Sequence, residues 1–98
     1  MAVVAEIILR GLSKQQYNQV RDEVGWLERK PDGALAHLTW WEGEDCHNID
    51  GWESEAAFDA FARDRLGPAM AALGINTQPE VTFHEAHEVY APEALTVT

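Results

Sequence analysis

The residues best equipped for chemistry in this 98-residue chain are Asp50, Trp52 and four histidines scattered around them. Asp50 stands two residues before Trp52 in the run Cys46-His47-Asn48-Ile49-Asp50-Gly51-Trp52. On a strand, the carboxylate, the indole and Asn48 therefore project to one side. A carboxylate beside an apolar ring is costly to bury without a partner. His37 or His87 could supply one, His87 because it shares a side with Phe83 and Val89 if residues 81–90 are extended. Such a pair can act as general base and orienting acid. It can equally be a buried polar bridge with no reaction attached. Asp50, His37 and His87 are the catalytic candidates, and both readings of them stay open.

Aromatic side chains are the second resource: Tyr17, Trp26, Trp40, Trp41, Trp52, Phe58 and Phe61. Some must be core. The sharper reading is an aromatic-lined pocket for a flat apolar ligand, with Trp52, Tyr17, Phe58, Phe61 and His84 as contacts. His84-x-x-His87 invites a metal reading, but residues three apart on a strand point to opposite faces. Adjacent Cys46 and His47 have the same problem, and none of the closed zinc spacings is present. A hairpin position gives Cys46 little reason for a lowered pKa. Nucleophile elbow, phosphate-binding glycine loop and dinucleotide fingerprint are all missing from the sequence. Neither a metal nor a cofactor is expected.

These residues need elements to position them. Val3-Val-Ala-Glu-Ile-Ile-Leu-Arg10 has one fully apolar face and one mixed face, as a strand does. Ser13 with Gln16 has the spacing of a capping box, and Tyr17, Val20, Val24 and Leu27 follow at helical spacing. Lys30-Pro31-Asp32-Gly33 is a turn. Ala34–Glu42 is a second strand, with Leu35, His37, Thr39 and Trp41 on one face. A polar hairpin tip leads to the third strand, Cys46–Trp52. Ser54 caps a second helix carrying Ala57, Phe58, Phe61 and Arg65 on its inner side. Gly67-Pro68 is expected to break that helix, and Pro68 to open a short last one through Leu73. The fourth strand is expected over 81–90. The order is β-α-β-β-α-β in a single domain, residues 1–92, followed by a C-terminal tail, 93–98. The natural solution is α+β, a four-stranded antiparallel sheet with both helices on one face.

Composition agrees with such a domain: 46% hydrophobic and 24% charged residues are ordinary for a globular chain. A net charge of −10 disfavours nucleic acid and anionic membranes, since both demand Lys and Arg at phosphates. No apolar run approaches the roughly 20 residues that span a bilayer, and no signal peptide is apparent. The lone cysteine excludes an internal disulfide. The simplest compartment is the cytoplasm.

Two helices leave the other sheet face bare. Depending on register that face shows Val4, Ile8, several tryptophans, and Ile49 or Ala86, an interaction site unless the charged Glu6 and Arg10 suffice to solvate it. Two copies pairing through these faces as a homodimer would cover it and remove lone sheet edges.

Trp52-Glu53-Ser54 followed by Ala57-Phe58 and Phe61 resembles the strand-to-helix junction of the dimeric α/β-barrel superfamily, more narrowly its antibiotic-biosynthesis-monooxygenase-like group. Gly11-Leu12-Ser13, Val24-Gly25-Trp26-Leu27, Leu66-Gly67-Pro68 and Val81-Thr82-Phe83-His84 are similar to a subgroup of small bacterial proteins of that type. The resemblance implies ferredoxin-like subunits whose sheets face each other in a dimeric α/β barrel, with a pocket between helices and sheet that Trp52 lines. The chemistries on this scaffold include cofactor-free quinone-forming oxygenation, haem degradation, muconolactone isomerisation and polyketide cyclisation. The haem-degrading branch needs a histidine about ten residues after the tryptophan. Phe61, Ala62 and Arg63 stand there instead, which argues against haem ligation of that kind. Two functions follow as expectations. One is a cofactor-independent monooxygenase- or cyclase-like enzyme on an aromatic or polyketide-like compound. The other is a non-catalytic dimeric module binding a small hydrophobic ligand.

Overall fold

The computed structural model describes residues 1–91; the 93–98 tail and the domain boundary at Pro92 lie outside the described residues. The elements are β1 (Val3–Leu9), α1 (Lys14–Val24), β2 (Ala34–Glu42), β3 (Asp45–Trp52), α2 (Glu55–Phe61), a π-helical turn (Ala62–Leu66), α3 (Gly67–Ala72) and β4 (Glu80–Glu85). The strands form one sheet in the order β2-β3-β1-β4, antiparallel at every pairing. This is the ferredoxin-like α+β arrangement. Among the described residues no helix is long and apolar enough to cross a membrane.

Strand alternation sorts the two sheet faces. Ala5, Ile7 and Leu9 of β1 and Cys46, Asn48, Asp50 and Trp52 of β3 are all buried. They face the helices, where Val20, Val24, Phe58, Phe61, Ala69 and Met70 complete the core. The starts of α1 and α2 are tied down locally. Ser13 Oγ accepts from the Gln16 amide at 3.1 Å, and Gln16 Oε1 accepts from the Ser13 amide at 3.0 Å. Ser54 Oγ accepts from the Ala57 amide at 3.0 Å.

Three expectations about element ends need correction. α1 stops at Gly25, which takes φ 70° and donates back to Arg21 O. Leu27 is therefore off the helical stripe and 50% exposed. Pro68 sits in the first turn of the short last helix α3, as expected, but Gly67-Pro68 makes no break before it. Pro68 has no N–H to give and needs room in the preceding turn. The chain widens into a π turn instead, with the Gly67 amide donating five residues back to Ala62 O. A Cβ on Gly67 would stand only 3.1 Å from that same oxygen. Lastly, β4 ends at Glu85 rather than running to Tyr90. Its partner β1 begins at Val3, opposite Glu85, so nothing remains to pair with beyond the Ala86 amide, which reaches Ala2 O at 2.9 Å.

Candidate functional site: a Tyr-His-Asp-Trp chain

Register brings the site together. His37 of β2 pairs directly with Asp50 of β3, and Ala5 of β1 flanks Asp50 on its other side. The β2 bulge between Ala34 and Ala36 sets this pairing and takes Leu35 off the face that His37, Thr39 and Trp41 share. Asp50 Oδ1 lies 2.6 Å from His37 Nδ1, and Asp50 Oδ2 accepts from Trp52 Nε1 at 3.1 Å. Both carboxylate oxygens of a residue only 5% exposed thus have donors. At the other end, the Tyr17 hydroxyl from α1 lies 2.8 Å from His37 Nε2.

The directions of these bonds follow from the groups. A carboxylate only accepts. In the neutral form of the imidazole, the proton then sits on Nδ1 against Asp50, and Nε2 is left with its lone pair. Tyr17 donates to that lone pair. Burial pushes the Tyr17 phenol up to about 12, with the nearby Cys46 and Asp50 adding to the effect and Arg21 opposing it. The phenol stays protonated, so it is a standing donor to Nε2. This is the layout of an oriented general base with a hydroxyl on its working nitrogen.

Aromatic rings brace the chain. Trp26 lies 5.0 Å from the His37 ring and packs edgewise on Tyr17 at 6.0 Å, with Trp41 on Tyr17 at 5.6 Å. Trp41 is itself anchored by Nε1 donating to Leu12 O at 2.8 Å. The His37 side chain remains 32% exposed, so solvent reaches the imidazole between β2 and α1.

Other candidates fall elsewhere. His87 sits in a bend past the end of β4, exposed and outside this hydrogen-bonded set. His84 pairs across to Val4 on the outer sheet face and bonds Glu6 Oε2 at 3.1 Å. It lies on the face opposite Asp50, because its strand position alternates with that of Phe83. Trp52 packs at 5.6 Å on Phe58 and 5.3 Å on Phe61, and all three belong to the core. Two surface clefts, of about 180 and 440 Å³, flank Arg65, and neither is lined by His37 or Asp50. Trp52 and Phe58 line neither surface cleft, whereas Phe61, 9% exposed, borders one of them at its edge.

Asn48 is a polar residue that sequence reasoning placed beside Asp50 without giving it a role. It is 4% exposed, and its amide finds only long contacts, 3.4 Å to Ile7 O and 3.6 Å to Cys46 Sγ. Its position two residues before Asp50 was the available signal. Burial pushes the Cys46 thiol up, against the opposing pull of hydrogen bonds with Thr39 and Asn48. Cys46 is held as a thiol, unsuited to nucleophilic attack.

No protein-family model matches this sequence, and no curated protein matches it. Solved structures do resemble it. A Nitrosomonas europaea protein of unknown function, NE2512, aligns over 95% of this chain and 96% of its own, at 14% identity and TM-score 0.71. SnoaB, a cofactor-independent oxygenase from Streptomyces nogalater, aligns over 94% and 97% at 19% identity and TM-score 0.62. A candidate antibiotic biosynthesis monooxygenase from Chloroflexus aurantiacus aligns over 92% and 97% at 10% identity and TM-score 0.64. At these identities the alignments speak to architecture: the chain has the ferredoxin-like fold that SnoaB and other antibiotic-biosynthesis-monooxygenase-like structures share.

Proposed function

We propose that this protein is a cofactor-independent monooxygenase- or cyclase-like enzyme acting on an aromatic or polyketide-like small molecule, with His37 as its base. The observation that carries the reading is the unbroken chain from Tyr17 through His37 to Asp50. An activated phenol or enolisable ketone gives its proton to the Tyr17 oxygen while the Tyr17 proton passes to His37 Nε2. Asp50, aligned on Nδ1, stabilises the imidazolium that forms. Trp52 keeps Asp50 from turning away by holding its second oxygen. A homodimer formed through the outer sheet faces and a cytoplasmic setting belong to the same reading.

The test is turnover of 1,8-dihydroxyanthrone in air, followed by quinone absorbance and oxygen uptake. The wild type should accelerate conversion of anthrone and O2 to anthraquinone and water. His37→Gln and Asp50→Asn should each lose about 10²–10⁴ of that acceleration, the usual worth of a positioned general base. A His37→Gln variant as fast as the wild type would remove His37 from the chemistry.

A second reading has its own support. Trp52 and Phe58 fill the space between helices and sheet beside Asp50, and neither described cleft opens on His37 or Asp50, so a ligand held in a cleft would lie away from the base. Those features favour a non-catalytic dimeric module that binds a small hydrophobic ligand. It expects ligand binding without turnover, unchanged by His37→Gln.

A further inference from the structure

Only 7 lysines and arginines occur in this chain of net charge −10. Three of them, Arg29, Lys30 and Arg65, line the 440 Å³ cleft between the turn after α1 and the α2–π segment. The volume falls in the roughly 300–1,000 Å³ range of small-molecule sites. One wall is apolar, formed by Ala57, Ala60 and Phe61. The turn is fixed against α2 by close contact: Gly33, at φ 82°, approaches so near that a Cβ there would meet Ala57 Cβ at 2.7 Å.

Arg65 is the anchor. Its Nη2 donates to Val24 O at 2.9 Å and Arg29 O at 2.8 Å, which locks the guanidinium in place. Its Nε is buried and has no partner among the described residues. Among the described residues none of Arg29, Lys30 and Arg65 is in an ion pair. Asp64 lines the cleft but is taken by Arg63 through two bonds of 2.9 and 3.1 Å. Asp32 and Glu53 line it too, yet neither closes on Arg65. Burial and the like charge of Arg29 both pull Arg65 below its ordinary pKa, against a weaker pull from Asp32. A fixed cation crowded by a second cation and set beside an apolar wall is suited to a carboxylate on a hydrophobic body.

We propose that this cleft binds a small molecule carrying a carboxylate on an apolar body about one or two rings in size. Arg65 and Arg29 hold the carboxylate, and Phe61, Ala57 and Ala60 hold the ring. The site is separate from the Tyr17–His37–Asp50 chain and does not depend on any role for His37.

Amide NMR on the full-length chain tests this, with 2-naphthoate as ligand and 2-naphthalenemethanol as its neutral counterpart. Naphthoate should give saturable shifts centred on Gly33, Ala57, Ala60, Phe61 and Arg65. The alcohol should bind at least about tenfold more weakly, as should naphthoate to Arg29→Gln, since one charge-assisted contact is worth about that much. Arg29 is the variant of choice because Arg65 also holds the turn in place. Ala60→Leu fills the cleft without changing charge and should abolish the shifts. His37→Gln should bind naphthoate like the wild type. Equal binding of acid and alcohol, shifts that never saturate, or shifts centred on Tyr17 and His37 would each overturn the proposal.

Discussion

His37 and Asp50 face each other directly across the β2–β3 pairing, with Nδ1 2.6 Å from Oδ1. The contact joins a one-third exposed imidazole to a buried carboxylate, so it is not an ordinary surface ion pair. Trp52 shares the same carboxylate from the other side. Asp50→Asn would keep the shape but replace one acceptor by an N–H, setting a donor against either the imidazole or the indole. Loss of a buried, charged acceptor should cost about 1–3 kcal/mol in urea unfolding. A double-mutant cycle with His37→Gln should return a coupling of about 0.5–3 kcal/mol. Strict additivity would mean that the two side chains do not act as a unit.

Alkaline pH tests the other end of the chain. Tyr17 is raised to about 12 by burial, above its ordinary value. The folded state therefore keeps this proton when the unfolded chain has given it up. The stability contributed is complete below about pH 10 and is lost as pH rises from there through about 12. Tyr17→Phe should flatten that part of the stability curve. It should also remove the late-titrating component of phenolate absorbance at high pH. An unchanged alkaline limb in Tyr17→Phe would place the phenol in water.

Much of this arrangement was legible in the residues, and the gaps have physical causes. Period-two alternation put Asp50 and Trp52 on one side, and the capping signals at Ser13 and Ser54 marked the starts of α1 and α2. The choice between His37 and His87 could not be made without register. It turned on the β2 bulge and on where β1 begins, because β4 has no partner after Glu85. The same ignorance of register put several tryptophans on the outer face, where Trp40 stands; Trp41 and Trp52 pack with the core on the helix side. Proline and glycine at 67–68 read as a stop from local rules. Packing of Ala69 and Met70 into the core outweighed those rules, and a π turn absorbed the conflict.

Glycine substitutions separate backbone conformation from close approach. Gly11 and Gly33 both have positive φ, 72° and 82°. A Cβ at Gly11 would meet nothing within 4 Å, whereas at Gly33 it would meet Ala57 Cβ at 2.7 Å. Gly11→Ala should cost about 1–2 kcal/mol, the price of the left-handed conformation alone. Gly33→Ala should cost that and roughly 1–3 kcal/mol more from overpacking. Adding Ala57→Gly to Gly33→Ala should recover part of the excess despite the helix penalty of about 1 kcal/mol. Equal costs at both glycines, measured by urea unfolding, would show that the turn moves freely away from α2.

The outer sheet face supplies the last prediction. Leu38 is 61% exposed, Trp40 39% and Ile49 36%, and Leu38 pairs directly with Ile49 across β2 and β3. Trp40 stacks on His47 at 5.4 Å, while Glu6 and His84 form the polar part of the same face. Apolar side chains so placed stabilise a pair of chains and penalise a single one. On the proposed pairing, the wild type sediments at twice the 11.0 kDa chain mass at micromolar concentration. Leu38→Lys with Ile49→Lys puts four like charges into the two-fold interface and should shift the chain to monomer without unfolding it. Leu27→Lys changes a leucine that is 50% exposed in the turn after α1, away from this face, and should leave the dimer intact. A wild-type chain that sediments as a monomer, or a Leu27→Lys variant that dissociates as readily as the double one, would sink sheet-face pairing and leave the bare face to a different partner.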